Sequence, residues 1–119
     1  MLLSNIRKFF NNTITVYRRE NIDDNKGGYI SKFKKKYWDV ACRIYGLRGP
    51  SYKIGFDGED YLVTRKLMAG RDDDIKEGDK ITDDKYGNSY LILSSYPVNE
   101  IRKVSHIECL LTRVEGVAQ

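Results

Sequence analysis

The sequence predicts a mainly β protein: a small antiparallel β-barrel with a short N-terminal helix and a long loop between its second and third strands. Three observations carry that prediction. Apolar residues alternate with polar ones at period two in several short stretches. Gly-, Asp- and Asn-rich turns separate those stretches at short spacing. Tyrosine supplies nine residues against four phenylalanines and one tryptophan, a composition that suits half-buried pleated surfaces. At 119 residues, the chain is long enough for a single domain, 1–119, to bury its own core.

Leu2, Leu3, Ile6, Phe9 and Phe10 recur at helical spacing, which predicts a two-turn amphipathic helix within residues 1–12, stable only when docked on something. The barrel is expected over 13–114, with a loose tail at 115–119. "TITVYRRE", 13–20, alternates with Ile14 and Val16 on one face. "YWDVACRIY", 37–45, gives the cleanest alternation: Trp38, Val40, Cys42 and Ile44 point to the core, and Asp39, Ala41, Arg43 and Tyr45 point away. "GLRGPSYKIGFDGE", 46–59, holds four glycines and a proline, so it reads as a long loop or hairpin tip. Further strands are expected at 60–69, around Ile81, at 89–96 and at 105–114. Cys42 and Cys109 fall on core-facing positions and read as reduced thiols acting as small hydrophobes.

Several chemistries lack the residues they need. Counted from Asp23, the sixth and twelfth positions of a calcium loop are Gly28 and Lys34, so the terminal glutamate ligand is missing. Asp72, Asp73 and Asp74 are consecutive, and Asp79, Asp83 and Asp84 lie at turns, where carboxylates serve backbone hydrogen bonds. The single histidine, His106, lies three residues from Cys109 on a strand, which puts the two on opposite faces. There is no phosphate-cradling glycine motif and no CxxC pair. The reading is a protein that is not an enzyme and has no cofactor, metal or catalytic residue. No stretch approaches the ~20 apolar residues that cross a membrane, so none is expected as a partner.

Charge is unevenly distributed. Residues 1–56 hold twelve Lys/Arg against four Asp/Glu, and residues 57–119 hold nine against thirteen. That division suits head-to-tail stacking of subunits. "SKFKKKYW", 31–38, concentrates Lys32, Lys34, Lys35 and Lys36 beside aromatic rings, a basic face of the kind that binds nucleic acid without sequence preference.

The order of elements resembles a known family. A strand ending "VYRRE" leads to a Trp-bearing strand, "WDVACRIYG"; after the glycine-rich loop come "YLVTRKLM", "IKEGDKITDDKYGNSYLI" and a last strand, "HIECLL". Over residues 13–113 this is similar to the head-closure (stopper, or head-completion) proteins of long-tailed bacteriophages. The resemblance implies a ring-forming homo-oligomer, hexameric or dodecameric in the virion and monomeric alone. That ring would lie between the portal or adaptor protein and the tail terminator, closing the channel on packaged double-stranded DNA. It also implies assembly in the host cytoplasm and residence in the virion connector. The matching gate loop would be 46–59, with Arg48, Tyr52, Lys53 and Phe56 on the channel side, and Ile6, Phe9 and Phe10 would dock onto a neighbour. Two alternatives stand beside it: a tail-completion or other small connector subunit, and a free-standing nucleic-acid-binding β-barrel.

Overall fold

Period-two alternation becomes six strands: β1 (Asn12–Asp23), β2 (Tyr29–Ile54), β3 (Asp60–Gly70), β4 (Lys80–Asp83), β5 (Ser89–Glu100) and β6 (Lys103–Val114). The computed structural model describes residues 10–54, 57–100 and 103–114. All pairings are antiparallel, in the order β1-β2-β3-β6-β5-β4, and β4 returns to β1 to close the sheet. Inside lies a core of Ile14, Val16, Cys42, Leu67, Ile81, Ile92, Cys109 and Leu111, all without solvent exposure, joined by Ala69, Ile75, Tyr90 and Ile107. Both cysteines are free, and burial pushes the Cys42 thiol up to about 12 and that of Cys109 to about 11.

The compact barrel with a helix and a long loop does not describe this molecule. Among the described residues every regular element is a strand. Residues 1–9, which hold most of the expected helix, and the expected tail at 115–119 lie outside them. The 46–59 stretch is not a loop, because β2 runs to Ile54 and pairs with β3 as far as Ile54↔Asp60. Its glycines and proline are absorbed at two places. Between Gly46 and Ser51 β2 takes five steps while β3 takes two, from Arg65 to Val63, so the ladder breaks and then resumes. The chain then turns at 55–59. The result is a closed sheet with long two-stranded extensions, 55 × 30 × 28 Å along its principal axes.

One extension is the β1–β2 ribbon, paired from Tyr17↔Lys35 out to Asp23↔Tyr29. Its turn is tied by carboxylates: Asp23 Oδ1 accepts from the Asn25 N–H, and Asp24 Oδ1 accepts from those of Lys26 and Gly28, at 2.8–3.0 Å. Gly27 takes φ +83°, which only glycine adopts freely. The other is the β2–β3 hairpin, whose base packs on the outer face of β5 and β6. Leu47, Tyr61 and the buried Val63 meet Leu91, Leu93, Leu110 and Val114 there, forming a second apolar cluster outside the closed sheet.

Trp38 is 64 % exposed, although strict alternation points it inward. The cause is a bulge. Ile14 pairs with Val40 and Val16 with Tyr37, so β2 carries one extra residue, and Asp39 within it has φ +54°. One inserted residue swaps the faces of everything beyond it. Tyr37 therefore packs against the core while Trp38 faces out. Asp39→Val is expected to lose about 1–2 kcal/mol, because a β-branched residue tolerates positive φ badly, whereas in a straight exposed strand valine would stabilise. Thermal melting reads the sign, and a raised melting temperature would contradict the bulge.

Candidate functional site

The carboxylates of 72–84 form a clamp rather than a metal cage. Arg18, at the point where β1 leaves the closed sheet, donates from Nε and Nη2 to the two oxygens of Asp79 at 2.9 and 2.8 Å. Its Nη1 reaches Asp74 Oδ2 at 2.9 Å, and Nη2 also donates to the Asp74 carbonyl at 3.0 Å. The Tyr37 hydroxyl donates to the same Asp74 oxygen at 2.8 Å, and the Lys76 N–H donates to Asp79 at 2.9 Å. A planar guanidinium meeting a carboxylate with two parallel bonds is the strongest form of this contact. Asp79 is only 2 % exposed. The Arg18 hydrogen bond, helped by that of Tyr37, holds the Asp74 carboxyl down at about 2, and Asp74 in turn raises the Tyr37 phenol.

The other turn carboxylates are also occupied. Asp73 accepts from Gly70 N–H at 2.8 Å, Asp83 from Lys85 N–H at 3.0 Å, and Asp84 from the Thr15 hydroxyl at 2.9 Å. Among the described residues no three His, Cys, Asp or Glu side chains converge on a metal position.

On the outer face of β6, Glu108 accepts from Tyr45 at 3.4 Å and from Tyr96 at 3.1 Å, with His106 Nε2 3.5 Å away. A register shift at Ser105 leaves both it and His106 buried, with the His106 Nδ1 and the Ser105 hydroxyl 3.0 Å apart. Burial, with Glu108 adding to it, raises the Tyr45 phenol to about 12. Cys109 faces the core on the opposite side, so the two residues do not meet as a nucleophile and base.

The basic residues lie on the β1–β2 ribbon. Lys32, Lys34, Lys35 and Lys36 are all exposed, and only Lys34 has a carboxylate within reach, Glu20 at 3.7 Å. Phe33 is half-buried, with Arg19 and Lys80 set over its ring at 5.0 and 4.5 Å from the centroid. An open groove of about 450 Å³ runs between Ile22 and Lys32, Phe33, Lys34 and Lys35. The roles of Arg19 and Lys80 escape a linear reading, since each reaches Phe33 from another strand. The period-two pairing of "VYRRE" with "SKFKKKYW" is the only signal that could have suggested Arg19.

The expected gate residues fall on the β2–β3 hairpin. Tyr52 is 78 % exposed and Lys53 is half-buried. Arg48 lies in β2, and Phe56 lies outside the described residues. Nearer the turn, Asp57 accepts from the Tyr61 hydroxyl and the Glu59 N–H, which with the more distant charge of Arg19 hold its carboxyl low. That influence brings the hairpin's end within electrostatic range of the β1–β2 ribbon. Of the expected docking residues, Phe10 is half-buried just before β1, while Ile6 and Phe9 lie outside the described residues.

No family model matches this sequence, and no curated protein does either. A solved structure does: the phage-like element PBSX protein xkdH from Bacillus subtilis superposes with a TM-score of 0.55 at 15 % identity, over 87 % of this chain and 94 % of that one. The chain therefore shares its fold with that phage-element protein along nearly the full length of both.

Proposed function

We propose that this chain is a structural subunit of bacteriophage assembly, forming a connector ring between portal or adaptor and tail. In this reading it closes the channel on packaged DNA and offers the tail its attachment surface. The observation that carries it is the fold shared with a protein of a phage-like element, over almost all of both chains. The chemistry agrees with a structural role, because the polar side chains that could converge on a substrate or metal are instead bonded to one another or to turns.

The β2–β3 hairpin is the gate in this reading, with Tyr52 and Lys53 on its exposed length. Its backbone satisfies its own hydrogen bonds, so it can leave the surface without exposing an open ladder. The irregular Gly46–Ser51 segment serves as its hinge, and the Leu47–Tyr61–Val63 base as its docking foot. Residues Ile6, Phe9 and Phe10 act as the docking element for a neighbour.

Replacing residues 54–60 by an Asn-Gly turn shortens the hairpin while keeping its foot. Phage particles carrying this variant are expected to assemble heads and tails but to lose DNA from the heads, scored by electron microscopy and nuclease-accessible DNA. Retention equal to wild type would refute the gate.

A further inference from the structure

The β1–β2 ribbon carries cations that the fold does not use. Of its basic residues, Arg18 is committed to Asp79 and Asp74, and Lys34 touches Glu20. Lys32 has no carboxylate partner, and Arg19, Lys35 and Lys36 meet only aromatic rings or solvent. Leaving such charges side by side costs self-repulsion, which a polyanion would relieve.

The cross-strand register distributes them over both faces. Arg19 stands opposite Phe33, and Lys35 follows on that face; Lys32 and Lys34 lie on the other, beside Ile22. Lys32 and Lys34 are two residues apart on a strand, about 6.8 Å, or two steps of a nucleic-acid strand at about 3.4 Å each. A two-stranded ribbon is also narrow enough for the major groove, about 12 Å wide.

We propose that this ribbon binds double-stranded DNA through its phosphate backbone, without reading sequence. Phe33 argues for duplex over single strand: Arg19 and Lys80 lie over its ring, so it steadies cations instead of stacking a base. The chain's own acidic turns are poor alternatives, since Asp23, Asp24, Asp57, Asp73 and Asp83 already accept backbone N–H groups. The inference is separate from the connector reading, because it concerns the ribbon and not the hairpin.

The experiment is a fluorescence-anisotropy titration of the full chain with a labelled duplex of about 20 base pairs, across a salt series, beside a single strand of equal length and polyglutamate. Four neutralised phosphates give a slope of about −3.6 in log affinity against log salt. K32Q/K34Q/K35Q/K36Q is expected to lose at least tenfold in duplex affinity and most of that slope, with an unchanged melting temperature. K66Q/K85Q, which removes two positive charges elsewhere, is expected to change affinity less than threefold. Absence of duplex binding at low salt would overturn the proposal. So would tighter binding of the single strand or of polyglutamate, or a quadruple variant that binds like wild type.

Discussion

Arg18→Met is expected to lower the melting temperature by about 12–20 °C, the largest single effect in the molecule. The arginine satisfies both oxygens of a carboxylate, Asp79, that is 2 % exposed, and part of a second, Asp74. Methionine keeps the length of the side chain but strands a buried negative charge, which costs about 3–5 kcal/mol. For a domain of this size each kcal/mol moves the midpoint by about 4 °C. Arg18→Met with Asp79→Leu should recover much of the loss, since the stranded charge is then gone. The acid limb supplies a second readout. The Asp74 carboxyl is held at about 2, below its ordinary 3.8, so its contribution is present above about pH 4 and fades as pH falls through 2. In Arg18→Met that window should flatten. Denaturant melts from pH 2 to 7 measure both, and an unchanged midpoint would show that the clamp adds nothing.

Val63→Asp is expected to release the β2–β3 hairpin while leaving the closed sheet folded. Val63 is 1 % exposed at the centre of the outer cluster, where a carboxylate finds no partner. The cheapest relief is for the foot to lift off Leu91 and Leu93, giving up about 2–4 kcal/mol of apolar burial. Limited proteolysis should then cut within 47–63 at least tenfold faster, while cooperative melting persists. Loss of all cooperative unfolding would mean that the hairpin and the closed sheet are one unit.

Much of this architecture is visible in the alternation. Ile14, Val16, Cys42, Leu67, Ile92, Cys109 and Leu111 all lie where period two puts them, because each belongs to a strand with one wet and one dry face. Trp38 breaks the pattern because a bulge is a count across two strands, and one strand's spelling does not contain it. Residues 46–59 were obscure for the opposite reason. Their glycines and proline occupy a short break and a turn, and "SYKI" between them pairs normally. The aspartates of 72–84 are legible as turn residues, but Arg18 as their partner is not, since the two are far apart in sequence and meet only when the sheet closes. The basic face was visible as a run of lysines, whereas its organisation around Phe33, Arg19 and Lys80 depends on three strands at once.

The closing seam of the sheet has a kinetic consequence. β1 and β4 share only four register pairs, Ile14↔Asp83 to Tyr17↔Lys80, yet side chains brace both ends: Thr15 on Asp84 at one, Arg18 on Asp79 at the other. A ring cannot lose one seam gradually, because once it opens both lips become unpaired edges and the interior is wetted from that side. Opening at β1–β4 should therefore set the unfolding rate, with the two braces acting as the latch on that barrier. Long-lived amide protons would then exchange together across strands that never touch one another, all waiting on the same four pairs.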